Sequence, residues 1–269
     1  MRFLVVIPAR LESKRLPNKV VLDIKGKSML QRVIERCKEC KKISSVILCT
    51  DNEILKKIGN DSKIKVILTS KECQSGSERI ASVIDILVNE AWGRINSNLT
   101  FKELSFRLKN TYIINVQADQ PLIDSKIIDD LVRLISKNEN KFQIVTPIYK
   151  LNSENIHNPD VVKTLVTHDK RAIYFSRAAI PYIRDIKPNE WHKHYDYWGH
   201  AGIYCFRADI LKNWFRLPKS KLEKVEKLEQ LNLIDYGYTI DTFIIEKPTI
   251  SIDNITQLEE VRKLIRDNE

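Results

Sequence analysis

The sequence predicts an α/β fold with a mostly parallel central sheet covered by helices. Three observations carry that prediction. Short apolar runs lack polar alternation, as strands buried on both faces do; segments of helical period separate them; and polar clusters follow the runs at their carboxyl ends. In order, RFLVVIPA (2–9) is a strand, MLQRVIERCKEC (29–40) a helix and ISSVILCTD (43–51) a second strand. EILKKIG (53–59) is a short helix, IKVILTS (64–70) a third strand, SERIASVIDILVNE (77–90) one amphipathic helix and TYIINVQ (111–117) a fourth strand. Residues 92–110 hold no sustained period and read as an insertion.

The second half is more mixed. FQIVTPIYK (142–150), VVKTLVT (161–167) and RAIYFSRAAIPYIR (171–184) read as strands, and HAGIYCFRADILKNW (200–214) as a strand entering a helix. SKLEKVEKLEQLNLIDYG (220–237) reads as one helix. TISIDNITQLEEV (249–261) reads as a short strand, Asp253, and a helix capped by Asn254 or Thr256. No linker, repeat or low-complexity run divides the chain, so a single domain is expected.

With 269 residues and 43% hydrophobic content the chain has material for a sizeable core. Its 45 Lys and Arg against 35 Asp and Glu favour an anionic partner: nucleotide, nucleic acid or acidic membrane. Pro8 and the charges from Arg10 to Arg15 interrupt the opening apolar run before a secretory signal or membrane span is complete, so a cytoplasmic location is expected. Five scattered cysteines make no disulfide framework, and the C-x-x-C of Cys37 and Cys40 falls inside a helix with no second ligand pair nearby. The histidines at 192, 194 and 200 read as solvated or hydrogen-bonded residues rather than a metal site.

In parallel sheets ligands sit beyond the carboxyl ends of the strands. The loop after the first strand carries Arg10, Arg15 and Lys19, stiffened by Pro8 and Pro17. Guanidinium forks and a compact ammonium suit a polyphosphate, although a solvated basic turn has the same composition. Neither a P-loop nor a G-x-G-x-x-G stretch is present. Ser75, Gly76 and Ser77 precede a helix, where small residues admit a ligand to the backbone or simply cap the helix. Asp119 caps a turn before Pro121 or holds a divalent cation, and Asp253 repeats the pattern at another strand end. Two such carboxylates would share one Mg²⁺, a hard ion that takes its other ligands from water and substrate phosphates.

Taken in register, VIPARLESKRLPNK (6–19), CQSGSERIA (73–81), NVQADQP (115–121), NPDVVK (158–163), AIYFSRAAIPYIRD (172–185), HAGIY (200–204) and LEKVEKLEQL (222–231) resemble the 3-deoxy-manno-octulosonate cytidylyltransferases. The resemblance covers nearly the whole chain except 92–110 and a stretch near 185–195. It implies a Rossmann-like nucleotidyltransferase fold with a smaller sugar-binding and dimerisation subregion: a nucleotide part over about 1–125, a sugar and dimer part over about 126–250, and a metal-bearing end over about 249–269. It implies a Mg²⁺-dependent reaction of CTP with Kdo to CMP-Kdo and diphosphate, feeding lipopolysaccharide assembly in a homodimer.

By the same resemblance Arg10, Arg15 and Lys19 hold the triphosphate, while Pro8, Ala9, Ser75, Gly76, Arg79 and Gln117 receive the nucleoside. Asp119 and Asp253 bind the metal, and Arg177, His200, Tyr204, Glu229 and Gln230 line the sugar pocket, with Arg177 facing the sugar carboxylate. Ala118, Gln120 and Ser251 depart from the family's usual Gly, acid and Gly, which leaves the sugar open between Kdo and its 8-amino analogue. A sialic-acid-type CMP-sugar synthetase, whose family shares the first loop in a glycine-richer form but resembles this chain less after it, a nucleotide-binding relative without activity and a basic nucleic-acid-binding protein stand as alternatives, the last without any recognisable nucleic-acid module in the sequence.

Overall fold

The computed structural model describes residues 1–13, 15–93, 99–138 and 141–266, with the backbone alone at 266. The chain forms two compact units, one of Met1–Lys141, Ile203–Phe215 and Thr249–Glu269, the other of Phe142–Gly202 and Arg216–Pro248.

The first unit opens with β1 (Arg2–Ala9), buried after its first residue, then the two-residue strands β2 (Asp23–Ile24) and β3 (Lys27–Ser28). Helix α1 (Met29–Lys38) starts at a capping box of Ser28 and Gln31. There follow β4 (Ser45–Thr50), α2 (Glu53–Asp61) capped by Asn52, β5 (Lys65–Leu68), α3 (Gly76–Ala81), α4 (Ile84–Trp92), α5 (Phe101–Lys109), β6 (Thr111–Asn115) and α6 (Ser125–Lys137). The second unit takes β7 (Ile144–Lys150), β8 (Lys163–Val166), β9 (Ala172–Ser176) and β10 (Trp198–His200). The chain returns to the first unit for β11 (Tyr204–Arg207) and α7 (Ala208–Trp214). It gives α8 (Lys221–Glu226), α9 (Gln230–Asp235) and β12 (Ile240–Ile244) to the second and ends in the first with α10 (Ile255–Arg266).

In the first unit the strand order is β5-β4-β1-β6-β11, parallel through β6, with β11 antiparallel to β6. The order reverses at β1, which has β4 on one side and the later β6 on the other. The carboxyl end of β1 is therefore a topological switch point, where open α/β sheets leave a crevice for ligand. The mostly parallel sheet expected from the apolar runs is present. In the second unit β12 runs parallel to β7, while β10, β8 and β9 are antiparallel to their neighbours. No helix among the described residues is long and apolar enough to cross a membrane.

Several elements differ from their sequence reading, each for a local reason. The expected helix over 77–90 is two helices, because the Ser82 hydroxyl donates to the Arg79 carbonyl and Val83 N–H turns to Ile80 O at i−3. Residues 101–109 of the supposed insertion form α5, started by a Thr100 and Glu103 capping box; 94–98 lie outside the described residues. The strand expected through 184 stops at Ser176, where the Ser176 hydroxyl and Arg177 N–H donate to the Glu226 carboxylate at 2.6 and 3.0 Å. The helix over 220–237 breaks at Lys227, which is left-handed (φ 54°), after Arg177 Nε donates to Glu226 O at 3.0 Å and takes that carbonyl from the helical ladder. Residues 249–252 form no strand; Ile252 N–H donates to Asp119 O at 3.0 Å. Asn254 caps α10, its Oδ1 accepting from Gln257 N–H at 3.0 Å.

Gly59 of α2 lies against the sheet so closely that a Cβ there would be 2.5 Å from Val66 Cγ2 and 2.9 Å from Leu48 Cδ2. Alanine is the better helix former by about 1 kcal/mol, yet overpacking costs about 1–3 kcal/mol. We predict that Gly59→Ala lowers the free energy of unfolding in urea titration; an increase would show that the helix backs away at no cost.

Candidate active site

The switch-point crevice is a cleft of about 380 Å³ in the first unit, lined by the end of β1, the following basic loop, the start of α3 and the 117–119 turn. β1 delivers Pro8 and Ala9 to its floor. Gly76 opens α3 against that floor: a Cβ on it would stand 2.9 Å from Pro8 Cγ, so the close approach requires glycine. Ser75 caps α3, its Oγ accepting from Glu78 N–H at 3.1 Å, which is the structural role the sequence left open for it.

Lys19 and the two predicted acids come together. Lys19 Nζ donates to Asp119 Oδ2 at 2.6 Å and to Asp253 Oδ1 at 3.0 Å, and Arg15 Nη2 donates to Asp253 Oδ1 at 2.8 Å. The Lys19 side chain is 12% exposed, so its pairs are shielded, whereas Arg15 at 70% gains little from its own. Arg10 lines the same cleft, is exposed and makes no ion pair among the described residues, which leaves its guanidinium available to an anion.

Arg79 is different: it is buried, with Nη2 on Asp51 Oδ2 at 2.7 Å and Nη1 on the Thr69 hydroxyl and Ser70 O. Its charge is committed to Asp51, so it supports the start of α3 rather than offering a free cation.

The β6 end supplies the remaining wall. Asn115 Nδ2 donates to Ser77 Oγ at 3.2 Å, and Gln117 Nε2 donates to Asn115 Oδ1 at 3.3 Å. This relay uses one N–H of the Gln117 amide, which lies beside Gly76. Ala118 is buried, and so is Gln120, whose Nε2 donates to Thr249 Oγ1 at 3.2 Å. Gln120 therefore ties the turn bearing Asp119 to the segment bearing Asp253, a structural use for the amide at a position where the resemblance has an acid. Ile252 plugs a core cluster with Ile24, Met29, Leu258, Val261 and Ile265, and this anchors Asp253 from the far end of the chain. Sequence reasoning marked Asp51 only as part of a polar strand end and missed Thr69, Asn115 and Gln120's partner Thr249; the polar Asn that closes the apolar run of β6 was the signal for Asn115.

Asp119 Oδ1 is buried without a hydrogen-bond partner among the described residues. An orphaned carboxylate oxygen beside a second carboxylate suits a hard cation, and no group of three or more His, Cys, Asp or Glu side chains is assembled among the described residues. Two carboxylates, with water and phosphate completing the shell, is a donor set that fits Mg²⁺.

The residues expected around the sugar divide between the units. Tyr204, on β11 of the first, is buried and stacks on Phe206. Arg177, His200, Glu229 and Gln230 belong to the second. Arg177 Nη1 donates to Pro159 O and Nε to Glu226 O, each at 3.0 Å. Glu229 stands at the start of α9, and Gln230, its first residue, is buried. His200 Nε2 is 2.9 Å from the Thr146 hydroxyl, and burial pushes the imidazole down to about 3.

A switch-point cleft lined by a basic loop whose Lys19 and Arg15 are paired with two carboxylates, on this sheet, is that of an α/β nucleotidyltransferase. The cytidylyltransferase family model matches residues 4–240. A 3-deoxy-manno-octulosonate cytidylyltransferase of Polynucleobacter necessarius is 36% identical over 98% of this chain and 95% of its own, and one of Porphyromonas gingivalis 32% identical over 98% and 96%. A solved structure of CMP:2-keto-3-deoxy-manno-octonic acid synthetase complexed with CTP superposes with a TM-score of 0.85 at 30% identity, covering 100% of both chains. The chain belongs to the cytidylyltransferase family, among the 3-deoxy-manno-octulosonate cytidylyltransferases.

The depressed His200 has a consequence for stability. Its folded value, about 3, lies below the ordinary 6.5, so as the pH falls below 6.5 the unfolded chain takes up a proton that the folded chain refuses. The stability tied to neutral His200 is complete above 6.5 and is lost progressively toward pH 3. We predict that His200→Gln weakens the fall in stability between pH 6.5 and 4 relative to the unsubstituted protein, measured by urea titration; parallel pH curves would show that the imidazole is not held neutral.

Proposed function

We propose that this chain transfers the cytidylyl group of CTP to the anomeric hydroxyl of 3-deoxy-manno-octulosonate, forming CMP-Kdo and diphosphate. The observation that carries the proposal is the Lys19 ammonium, held between Asp119 and Asp253, in a cleft that Gly76 and Gln117 also line. A narrow floor at Gly76 and a fixed amide at Gln117 suit a pyrimidine edge, while Arg10, Arg15 and Lys19 suit a triphosphate.

The sugar hydroxyl attacks the α-phosphorus in line and loses its proton to water, and the bond from the α-phosphorus to the bridging oxygen breaks as diphosphate departs. Charge grows on the α-phosphate and the leaving group, so positioning and electrostatic stabilisation supply most of the rate. Arg10 and Arg15 receive the departing diphosphate, and Lys19 gives the α-phosphate a shielded positive charge. Asp119 and Asp253 would hold Mg²⁺, which when bound polarises phosphate oxygens and lowers the proton affinity of an oxygen nucleophile. Arg177 is the cation for the sugar carboxylate; His200, kept neutral, exchanges hydrogen bonds without adding charge; Glu229 and Gln230 of the second unit, and separately Tyr204 of the first, are the further candidate sugar residues. We further propose a cytoplasmic homodimer supplying an activated sugar for lipopolysaccharide assembly, with exposed Ile173 and Tyr182 as apolar surface suited to a dimer contact.

The test is diphosphate release with Mg²⁺, each of CTP, UTP, GTP and ATP, and each of Kdo, 8-amino-Kdo and sialic acid. We predict turnover with CTP and Kdo, and a loss of about 10²–10³ in kcat/KM for Asp119→Ala and for Asp253→Ala. Preference for the amino sugar or for sialic acid would redirect the substrate, and no release with CTP and any of the three sugars would reject the enzyme. Unchanged turnover in both variants would remove the carboxylate pair from the chemistry.

A further inference from the structure

Lys163, the first residue of β8, has a side chain with 0% exposure. Lysine is almost never fully buried without a paired acid, yet Lys163 makes no ion pair among the described residues. Its Nζ instead donates to three backbone carbonyls: Asn158 O and Val161 O, each at 2.7 Å, and Arg177 O. An ammonium has three N–H donors, and these three acceptors use all of them.

The acceptors are not scattered. Asn158 and Val161 bracket a short loop, and the carbonyl of Pro159 within it accepts from Arg177 Nη1 at 3.0 Å. Arg177 thus enters the same ring twice, by its own carbonyl on Lys163 and by its guanidinium on the loop that Lys163 gathers. Its remaining ties, N–H to the Glu226 carboxylate and Nε to Glu226 O, fix the other side.

We propose that Lys163 is a positioning residue for Arg177, setting the guanidinium that receives the carboxylate of the acidic sugar. The inference rests on the reading of Arg177 as that cation. A compact ammonium converges three donors on one point, which the planar fork of arginine does not, and a neutral side chain leaves carbonyls unpaired. The charged groups facing the ammonium are Arg177 and Glu226. Burial first, and then Arg177, pull Lys163 down to about 8 against the opposing pull of Glu226. Above that pH the amine has only two N–H donors for three carbonyls.

The experiment measures KM for CTP and for Kdo between pH 6.5 and 9 in the unsubstituted protein, Lys163→Met, Lys163→Gln, Arg177→Ala and the Arg177→Ala/Lys163→Met double variant. Lys163→Gln keeps two donors and guards against a misfolded Lys163→Met. The expected result is a KM for Kdo raised about ten- to a hundredfold in Lys163→Met, a smaller rise in Lys163→Gln, and no change in KM for CTP. The unsubstituted protein's KM for Kdo rises through about pH 8, the Lys163→Met value is high at every pH, and the double variant is no worse than Arg177→Ala. Equal changes in both KM values, or no change in either lysine variant while Arg177→Ala is impaired, would overturn the role of Lys163 alone. An Arg177→Ala variant with unchanged KM for Kdo would overturn the reading of Arg177 and this inference with it.

Discussion

The first unit's site depends on one ammonium and two carboxylates. Lys19, Asp119 and Asp253 come from three distant parts of the chain, and each is delivered by different physics. Lys19 follows the switch-point strand, with Asn18 before it in the left-handed region (φ 53°). Asp119 closes the turn after β6, and Asp253 is held by Ile252 in an apolar cluster and by the Gln120 to Thr249 hydrogen bond. Gathering two acids in a half-buried place costs Coulomb energy that the Lys19 ammonium offsets. The same arrangement leaves Asp119 Oδ1 without a donor among the described residues, and so available to a cation.

Two buried cations elsewhere show the opposite arrangement. Arg79 is spent on Asp51 and holds the start of α3, while Lys163 is spent on carbonyls and holds the backbone around Arg177. Lys163 has no donor left for a ligand, and the charge of Arg79 is paired with Asp51. Cations that meet substrate have to keep donors unspent, as exposed Arg10 does, and the buried ones instead determine where such residues stand.

Much of this was legible in the residues. Apolar runs of strand length located the parallel strands, and the polar clusters after them located the cleft, because a parallel sheet leaves its strand ends open to ligand. The helix breaks were not legible. The break at Lys227 arises where a tertiary partner, Arg177 Nε, takes Glu226 O from the ladder, and local period contains no record of that partner; the break at Ser82 is local, its hydroxyl taking the Arg79 carbonyl. The capping box at Thr100 and Glu103 could have identified α5 without a period. The commitment of Arg79 to Asp51 joins residues 28 apart through the packing of α3 on β4, a pairing that the resemblance placing Arg79 at the nucleoside contained no sign of.

Whether Asp119 and Asp253 act as one unit is best measured by a double-mutant cycle, with Asp119→Asn, Asp253→Asn and both together assayed for kcat/KM with CTP and Kdo. If both carboxylates serve one cation, the losses are strongly non-additive and the double variant is little worse than the poorer single one. Losses that multiply in full would show two independent residues and contradict the shared site.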